Sequence, residues 1–183
     1  FKVQRKIYCP EEKELTRAEY VRLVQAAKEK SSERLALLLE TICATGIRVS
    51  ELQYITAEAV AQGEAVVRCK GKTRTIFLPT ALCKKLRRYA GKQQLRTGPV
   101  FVTRTGKPMN RSNIWREMKA LCTRAQVAPS KVFPHSLRHL FARCFYAIDH
   151  DVAKLADILG HSNINTTRIY IITTGAEHRR KME

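Results

Sequence analysis

Apolar residues first recur at helical spacing. Tyr20, Leu23, Val24 and Ala27 stand three and four apart, the interval that gathers side chains on one face of an α-helix. Ahead of them, Thr16-Arg17-Ala18-Glu19 is a capping-box sequence, in which the Thr16 hydroxyl and the Glu19 carboxylate each satisfy a free backbone N–H. Leu35, Leu38, Leu39 and Ile42 form a second stripe and predict a helix over residues 33–44. Gly46 is placed to end it, because glycine readily takes the left-handed conformation of a helix stop. A third, shorter helix is expected from about Arg48. The period then changes. Residues 65–69 and 74–78 read as strands of a hairpin around the basic turn Lys70-Gly71-Lys72-Thr73.

Thr80 is expected to cap a basic helix over residues 81–89, and Pro99-Val100-Phe101-Val102 to supply a third strand. Helical spacing returns over residues 112–124, with Ile114, Trp115, Met118, Leu121 and Cys122 as the buried side. It continues over 136–148 and over 151–159, where Gly160 stops the helix, and a last helix begins near Asn165. No internal repeat or low-complexity tract interrupts this order. The fold expected is mainly α (α+β), helical with a small three-stranded antiparallel sheet. Residues 1–14 are polar and charged and read as a linker from an upstream domain, residues 15–175 as one domain, and 176–183 as the start of a C-terminal tail. The start at Phe1 rather than Met fits a piece of a longer chain.

Of the 183 residues, 44% are hydrophobic and 27% charged, a balance that supports a globular core. Charge changes the picture more. Lysine and arginine number 34 against 16 acidic residues, a formal net charge of +18. Such an excess strains the fold unless a polyanion neutralises it, and nucleic acid fits better than an anionic membrane surface. No apolar run has the length of about 18 residues that a transmembrane helix needs, and the first residues lack the apolar core of a signal peptide. Six cysteines (Cys9, Cys43, Cys69, Cys83, Cys122, Cys144) lie far apart with no C-x-x-C pair. They read as free thiols of a reducing cytosol, packing as small hydrophobes.

The helix after Pro134 carries the first candidate chemistry. Leu137, Leu140, Phe141, Cys144, Phe145 and Ile148 form its apolar stripe. His135 and Arg138, three apart, fall off that stripe and are expected to face away from the core at the helix N-terminus, where the dipole favours an anion. A solvated basic face is the plain alternative. His135 and His139, four apart, have a zinc-compatible spacing, but the Glu of H-E-x-x-H and a third ligand are missing, so no metal site is expected. Arg48 follows the Gly46 stop, with Glu51 close enough to orient it. Tyr170 alone reads as a half-buried tyrosine, since a phenol with a pKa of about 10 needs nearby cations or a base to become a nucleophile.

Three segments taken together, T-G-I-R-V-S-E-L at 45–52, H-S-L-R-H at 135–139 and L-G-H-S-x-x-x-T-T-x-x-Y at 159–170, resemble in order the signature boxes of the tyrosine recombinase (phage integrase) family. The resemblance runs from about Thr16 to Tyr170. It implies a catalytic domain in which Arg48 and Arg138 clamp the non-bridging oxygens of a scissile phosphate, as guanidinium forks do. His161 would donate a further hydrogen bond. Tyr170 would attack phosphorus to give a 3′-phosphotyrosyl link and a free 5′-hydroxyl, with His135 helping to take its proton. No metal, ATP or other cofactor is implied. A hairpin lysine would protonate the departing oxygen. The turn is a residue shorter than the commonest family form, so Lys70 and Lys72 both qualify. Aligning K-G-x-x-R favours Lys70 and leaves Lys72 and Arg74 as DNA-binding candidates or solvated cations. Lys84, Lys85, Arg87 and Arg88 either track the DNA backbone or are solvated.

The partners implied are double-stranded DNA and, for the full-length protein, three further copies in a tetramer on DNA, with a monomer expected of this segment and no membrane. The location implied is the bacterial cytoplasm, at the nucleoid. A type IB topoisomerase shares the chemistry, but the L-G-H-S and T-T-x-x-Y boxes look more like the recombinases. A DNA-binding regulator without catalysis is the other alternative, and the filling of all six catalytic positions argues against it.

Overall fold

The computed structural model describes residues 14–171, apart from the side chains of Pro134 and of residues 169–171. The expected linker 1–14, except Glu14, and the tail 176–183 lie outside the described residues, as does the Tyr170 side chain. Helix α1 (Arg17–Glu29) opens with the capping box: the Glu19 N–H donates to Thr16 Oγ1 at 3.1 Å and the Thr16 N–H to Glu19 Oε1 at 3.0 Å. Helix α2 (Glu33–Thr45) buries Leu35, Leu38, Leu39 and Ile42. It stops at Gly46, whose φ is +69°. A Cβ there would lie 2.5 Å from the Phe141 ring and 2.9 Å from Leu159 Cδ2, so this glycine permits both the turn and the approach of two later helices.

Past Gly46 the shorter helix expected from about Arg48 is a 3₁₀ segment, Val49–Tyr54, with Arg48 at its cap. Helix α3 (Ala57–Gln62) follows, capped by Thr56; six residues are too few to show a periodic stripe. Strands β1 (Glu64–Cys69) and β2 (Lys72–Phe77) pair antiparallel, with Cys69 opposite Lys72. The turn is therefore only Lys70-Gly71, at φ +51° and +75°, the positive-φ pair whose twist suits a two-residue hairpin. Among the described residues the sheet has two strands, not three. Pro99 and Val102 form only single bridges, to Thr56 and Pro108, and a proline without an N–H cannot carry a ladder.

Helix α4 (Thr80–Lys92) takes Pro79 at its cap, so Thr80 does not close it as expected. The helix expected over 112–124 is broken at Leu121 into α5 (Arg111–Ala120) and α6 (Cys122–Ala125). Trp115 is 48% exposed rather than buried, and the Lys119 ammonium sits 5.4 Å from its ring centroid, a cation–π contact that shields part of the indole. Helices α7 (Pro134–Ile148), α8 (Val152–Leu159) and α9 (Ile164–Ile171) complete the described chain. Asp151 caps α8 and Gly160, at φ +73°, ends it.

One large core joins α1, α2, the sheet, α4 and α5 to Leu137 and Leu140 of α7. A smaller one, Ala142, Leu155 and Leu159 with Phe141, Phe145 and Tyr146, holds α8 on α7. Two members of the expected α7 stripe fall outside both: Cys144 is exposed and Ile148 is 88% exposed, because the last turn of α7 runs past this packing. Among the described residues no helix is long and apolar enough to cross a membrane.

Candidate active site

The site begins at a buried carboxylate. Glu51, 1% exposed, accepts from the Arg48 N–H at 2.9 Å, and the Arg48 guanidinium lies 3.6 Å from its Oε2. Arg74 reaches it from β2, with Nη2 donating to Oε1 at 2.8 Å and Nη1 to Oε2. Burial alone would push the Glu51 carboxyl up, but the hydrogen bonds from Arg74 and the Arg48 backbone outweigh it and hold the group below its ordinary value. Glu51 is therefore ionised at neutral pH and fixes two cations.

Three consecutive carbonyls at the end of α8 gather arginines from three remote segments. Arg74 Nε donates to Ile158 at 3.1 Å, Arg138 Nη2 to Leu159 at 3.0 Å, and Arg48 Nη2 to Gly160 at 3.4 Å. The last carbonyls of a helix lack intrahelical partners and carry the negative end of its dipole, so this terminus attracts positive charge. Arg138 is 2% exposed and does not face outward as its place off the stripe implied. The end of α8 folds over the first turns of α7 and covers it, and the carbonyl makes the buried cation tolerable.

His161 follows directly. Its Nε2 lies 3.5 Å from Arg138 Nη2 and its Nδ1 2.8 Å from Thr167 Oγ1 in α9. Arginine only donates, so Nε2 accepts and Nδ1 carries the ring proton toward Thr167. Burial, then the charges of Arg138, Arg48 and Arg74, pull the His161 pKa down to about 4. His139 is likewise lowered to about 4 by burial and Arg143. His135, exposed at the start of α7, is lowered by desolvation and by Arg138, Arg111 and Arg48, so it is neutral and able to accept a proton. Ser136 shapes this helix start: its Oγ donates to the Phe133 carbonyl at 2.6 Å and accepts from the Phe133 N–H at 3.3 Å.

A cleft of about 710 Å³ is lined by Arg48, Lys70, Lys72, Arg74 and His161 among others. Arg138, 3.5 Å from His161, and His135, which feels the charges of Arg138 and Arg48, are not among its lining residues. Strand alternation puts Lys72 on the same face of β2 as Arg74, while Lys70 occupies the turn. Helix α9 starts three residues after His161 and contains Tyr170, packing on α7 and α8. Lys84, Lys85, Arg87 and Arg88 are exposed on α4, with Lys85 paired to Glu40 at 3.1 Å. Among the described residues no cluster of His, Cys, Asp and Glu is placed to hold a metal ion. Sequence reasoning missed Thr167, which is fully buried; its only signal was its place in the T-T pair before Tyr170.

Residues 13–176 match the model of the phage integrase family. The chain belongs to that family. Among curated phage integrase relatives it is 35% identical over 144 residues to tyrosine recombinase XerD of Rhizobium meliloti, covering 75% of this chain and 46% of that protein. It is 31% identical over 179 residues to tyrosine recombinase XerA of Pyrococcus furiosus, covering 93% of this chain and 61% of that one. The chain thus spans about half the length of the curated relatives it matches. A crystal structure of XerA recombinase superposes with a TM-score of 0.79 at 27% identity, over 92% of this chain and 62% of that one. A XerH site-specific recombinase bound to palindromic difH substrate shares the fold, with a TM-score of 0.77 at 22% identity over 93% of this chain and 52% of that one.

Proposed function

We propose that the chain is the catalytic domain of a site-specific DNA recombinase that cuts and rejoins strands through a 3′-phosphotyrosyl intermediate. The observation that carries this reading is the convergence of Arg48, Arg138 and His161 on the end of α8, beside a cleft that also holds two hairpin lysines. The Arg48 guanidinium and the neutral His161 imidazole in one cleft, with the Arg138 guanidinium 3.5 Å from that imidazole, suit a phosphodiester, whose charge grows in the transition state.

In the mechanism proposed, Arg48 and Arg138 bind the non-bridging oxygens and His161 adds a hydrogen bond. The Tyr170 oxygen attacks phosphorus as its proton passes to His135, and the P–O5′ bond breaks with Lys70 protonating the leaving oxygen. The phosphotyrosyl link keeps the phosphodiester's energy, so a 5′-hydroxyl reverses the step without ATP. Double-stranded DNA as partner is supported by the net charge of +18. The relatives' greater length supports an upstream domain joined through residues 1–14, the tail 176–183 would lead into further chain, and the working unit would be a tetramer on DNA in a bacterial cytoplasm.

The test restores the upstream part and incubates the protein with nicked suicide DNA, then looks for a covalent adduct on a denaturing gel. Wild type is expected to form one and Tyr170→Phe none. An adduct with Tyr170→Phe overturns the nucleophile; relaxation of supercoiled DNA without strand exchange overturns the recombinase in favour of a topoisomerase.

A further inference from the structure

By sequence Arg74 is a candidate DNA contact, yet its guanidinium points inward. The geometry points to a different role: Arg74 is a positioning residue that ties the lysine-bearing hairpin to Glu51 and to the end of α8, and so sets where Lys70 and Lys72 stand over the phosphate. This rests on the recombinase reading above.

All three guanidinium nitrogens are engaged, Nε by the Ile158 carbonyl and the two Nη atoms by the Glu51 carboxylate, and neither acceptor belongs to the hairpin. The side chain is 14% exposed and that of Glu51 1%. A phosphate contact needs a free N–H fork, and this fork is already filled. The backbone nearby is shaped to admit it: a Cβ on Gly160 would lie 2.9 Å from Arg74 Nη1 and 3.0 Å from Cζ. One arginine thereby joins β2, the segment after Arg48 and the turn leading to His161.

The hairpin gives that tether leverage. Cys69 pairs with Lys72, leaving two residues in the turn, so there is no slack between Arg74 and either lysine. A two-stranded sheet is marginal by itself, and a general acid acts only within hydrogen-bond reach of the leaving oxygen. Losing the tether should therefore cost the proton donation and spare the phosphate clamp.

The experiment uses the full-length protein on two suicide substrates, one ordinary and one with sulfur as the 5′-bridging atom, whose thiolate departs without an acid. Arg74→Ala is expected to slow adduct formation about 100-fold on oxygen and to come within about 3-fold of wild type on sulfur, with DNA affinity and its salt dependence unchanged. Arg74→Lys keeps a cation beside Glu51 but cannot hold both partners, and should show a smaller loss with the same rescue. A deficit that persists on sulfur would mean that Arg74 acts on the phosphate or through Glu51 and Arg48, and overturns the proposal. Hydrogen exchange supplies a readout free of catalysis: amides of residues 68–73 should exchange at least about 10-fold faster in Arg74→Ala while those of α2 do not change. Unchanged hairpin exchange overturns the tether whatever the activity. If wild type forms no adduct on either substrate, the recombinase reading fails, and the exchange measurement still decides the tether.

Discussion

Thr167 Oγ1 stands 2.8 Å from Nδ1 of His161, with Thr167 fully buried. A hydroxyl both donates and accepts, so Thr167 allows the ring to hold its proton on Nδ1 in the free protein and on Nε2 once a phosphate needs a donor. Thr167→Val keeps the shape and removes the partner. A net hydrogen bond is worth about 1 kcal/mol, so adduct formation should fall roughly 5- to 10-fold with little change in melting temperature. Nitrogen-15 NMR of His161 checks the cause: the variant should show mixed tautomers, and an unaltered tautomer would refute the role.

Glu51 holds two arginines, and its carboxyl sits lower in the folded protein than in the unfolded chain. The stability it contributes is fully present above the unfolded pKa of about 4.3 and is lost as pH falls through the depressed folded value. Removing one partner of a buried ion pair costs about 3–5 kcal/mol. Glu51→Gln should therefore show a deficit of that order in urea unfolding at pH 7, narrowing below about pH 4.5. A deficit constant down to pH 3 would contradict an ionised, paired Glu51.

His161 and His139 carry a linkage of the same sign at higher pH. Their folded pKa values are about 4 against 6.5 ordinarily, so between these limits the unfolded chain binds more protons and stability declines as pH drops from 6.5 to 4. A bound phosphate favours the charged imidazole and should raise the His161 value. DNA binding near pH 6 is then expected to take up protons, seen by calorimetry in buffers of different ionisation enthalpy, and His161→Gln should remove that uptake. Equal enthalpies in all buffers for wild type would count against it.

Gly46 and Gly160 both have positive φ, but their neighbours differ. A Cβ on Gly46 meets the Phe141 ring at 2.5 Å, whereas one on Gly160 meets the Arg74 guanidinium at 2.9 Å. Overpacking of a core typically costs about 1–3 kcal/mol, so Gly46→Ala should lower the melting temperature by several degrees. Gly160→Ala should harm adduct formation more than stability, since the group displaced is the hairpin tether. The two variants, measured by calorimetry and by the adduct gel, should rank oppositely in the two assays.

Lys70 and Lys72 both line the cleft, and the 5′-sulfur substrate tells them apart. Lys70→Ala is expected to lose about 10²–10⁴ in rate on oxygen and to recover on sulfur. Recovery of Lys72→Ala and not of Lys70→Ala would transfer the role to the residue that shares the Arg74 face of β2.

Much was legible in the chain because the signals were local. The α1 capping box, the α2 stripe, the helix stops at Gly46 and Gly160 and the basic hairpin depend on neighbours within a few positions, and spacing records them directly. The failures share one cause. The third strand, the burial of Trp115 and the outward Arg138 were read from local sequence, which places a residue in an element or on a face but not against a partner. Pro99 could not sustain a ladder, Trp115 found Lys119 instead of the core, and α8 folded over Arg138.

By itself the sequence determined the residue types and their order: two arginines, two histidines, hairpin lysines and Tyr170, set in boxes that mark the family. Only the tertiary structure decided that three arginines share the last carbonyls of α8 and that Glu51 joins two of them. It also decided that Arg74 turns inward and that Thr167 sets the His161 ring. Those relations join residues 21 to 112 positions apart, except for the Arg48–Glu51 pair, three apart, and the short His161–Thr167 step across a helix start. The attraction of cations to a helix C-terminus acts through space, and no spacing along the chain encodes which of 34 basic residues will reach it.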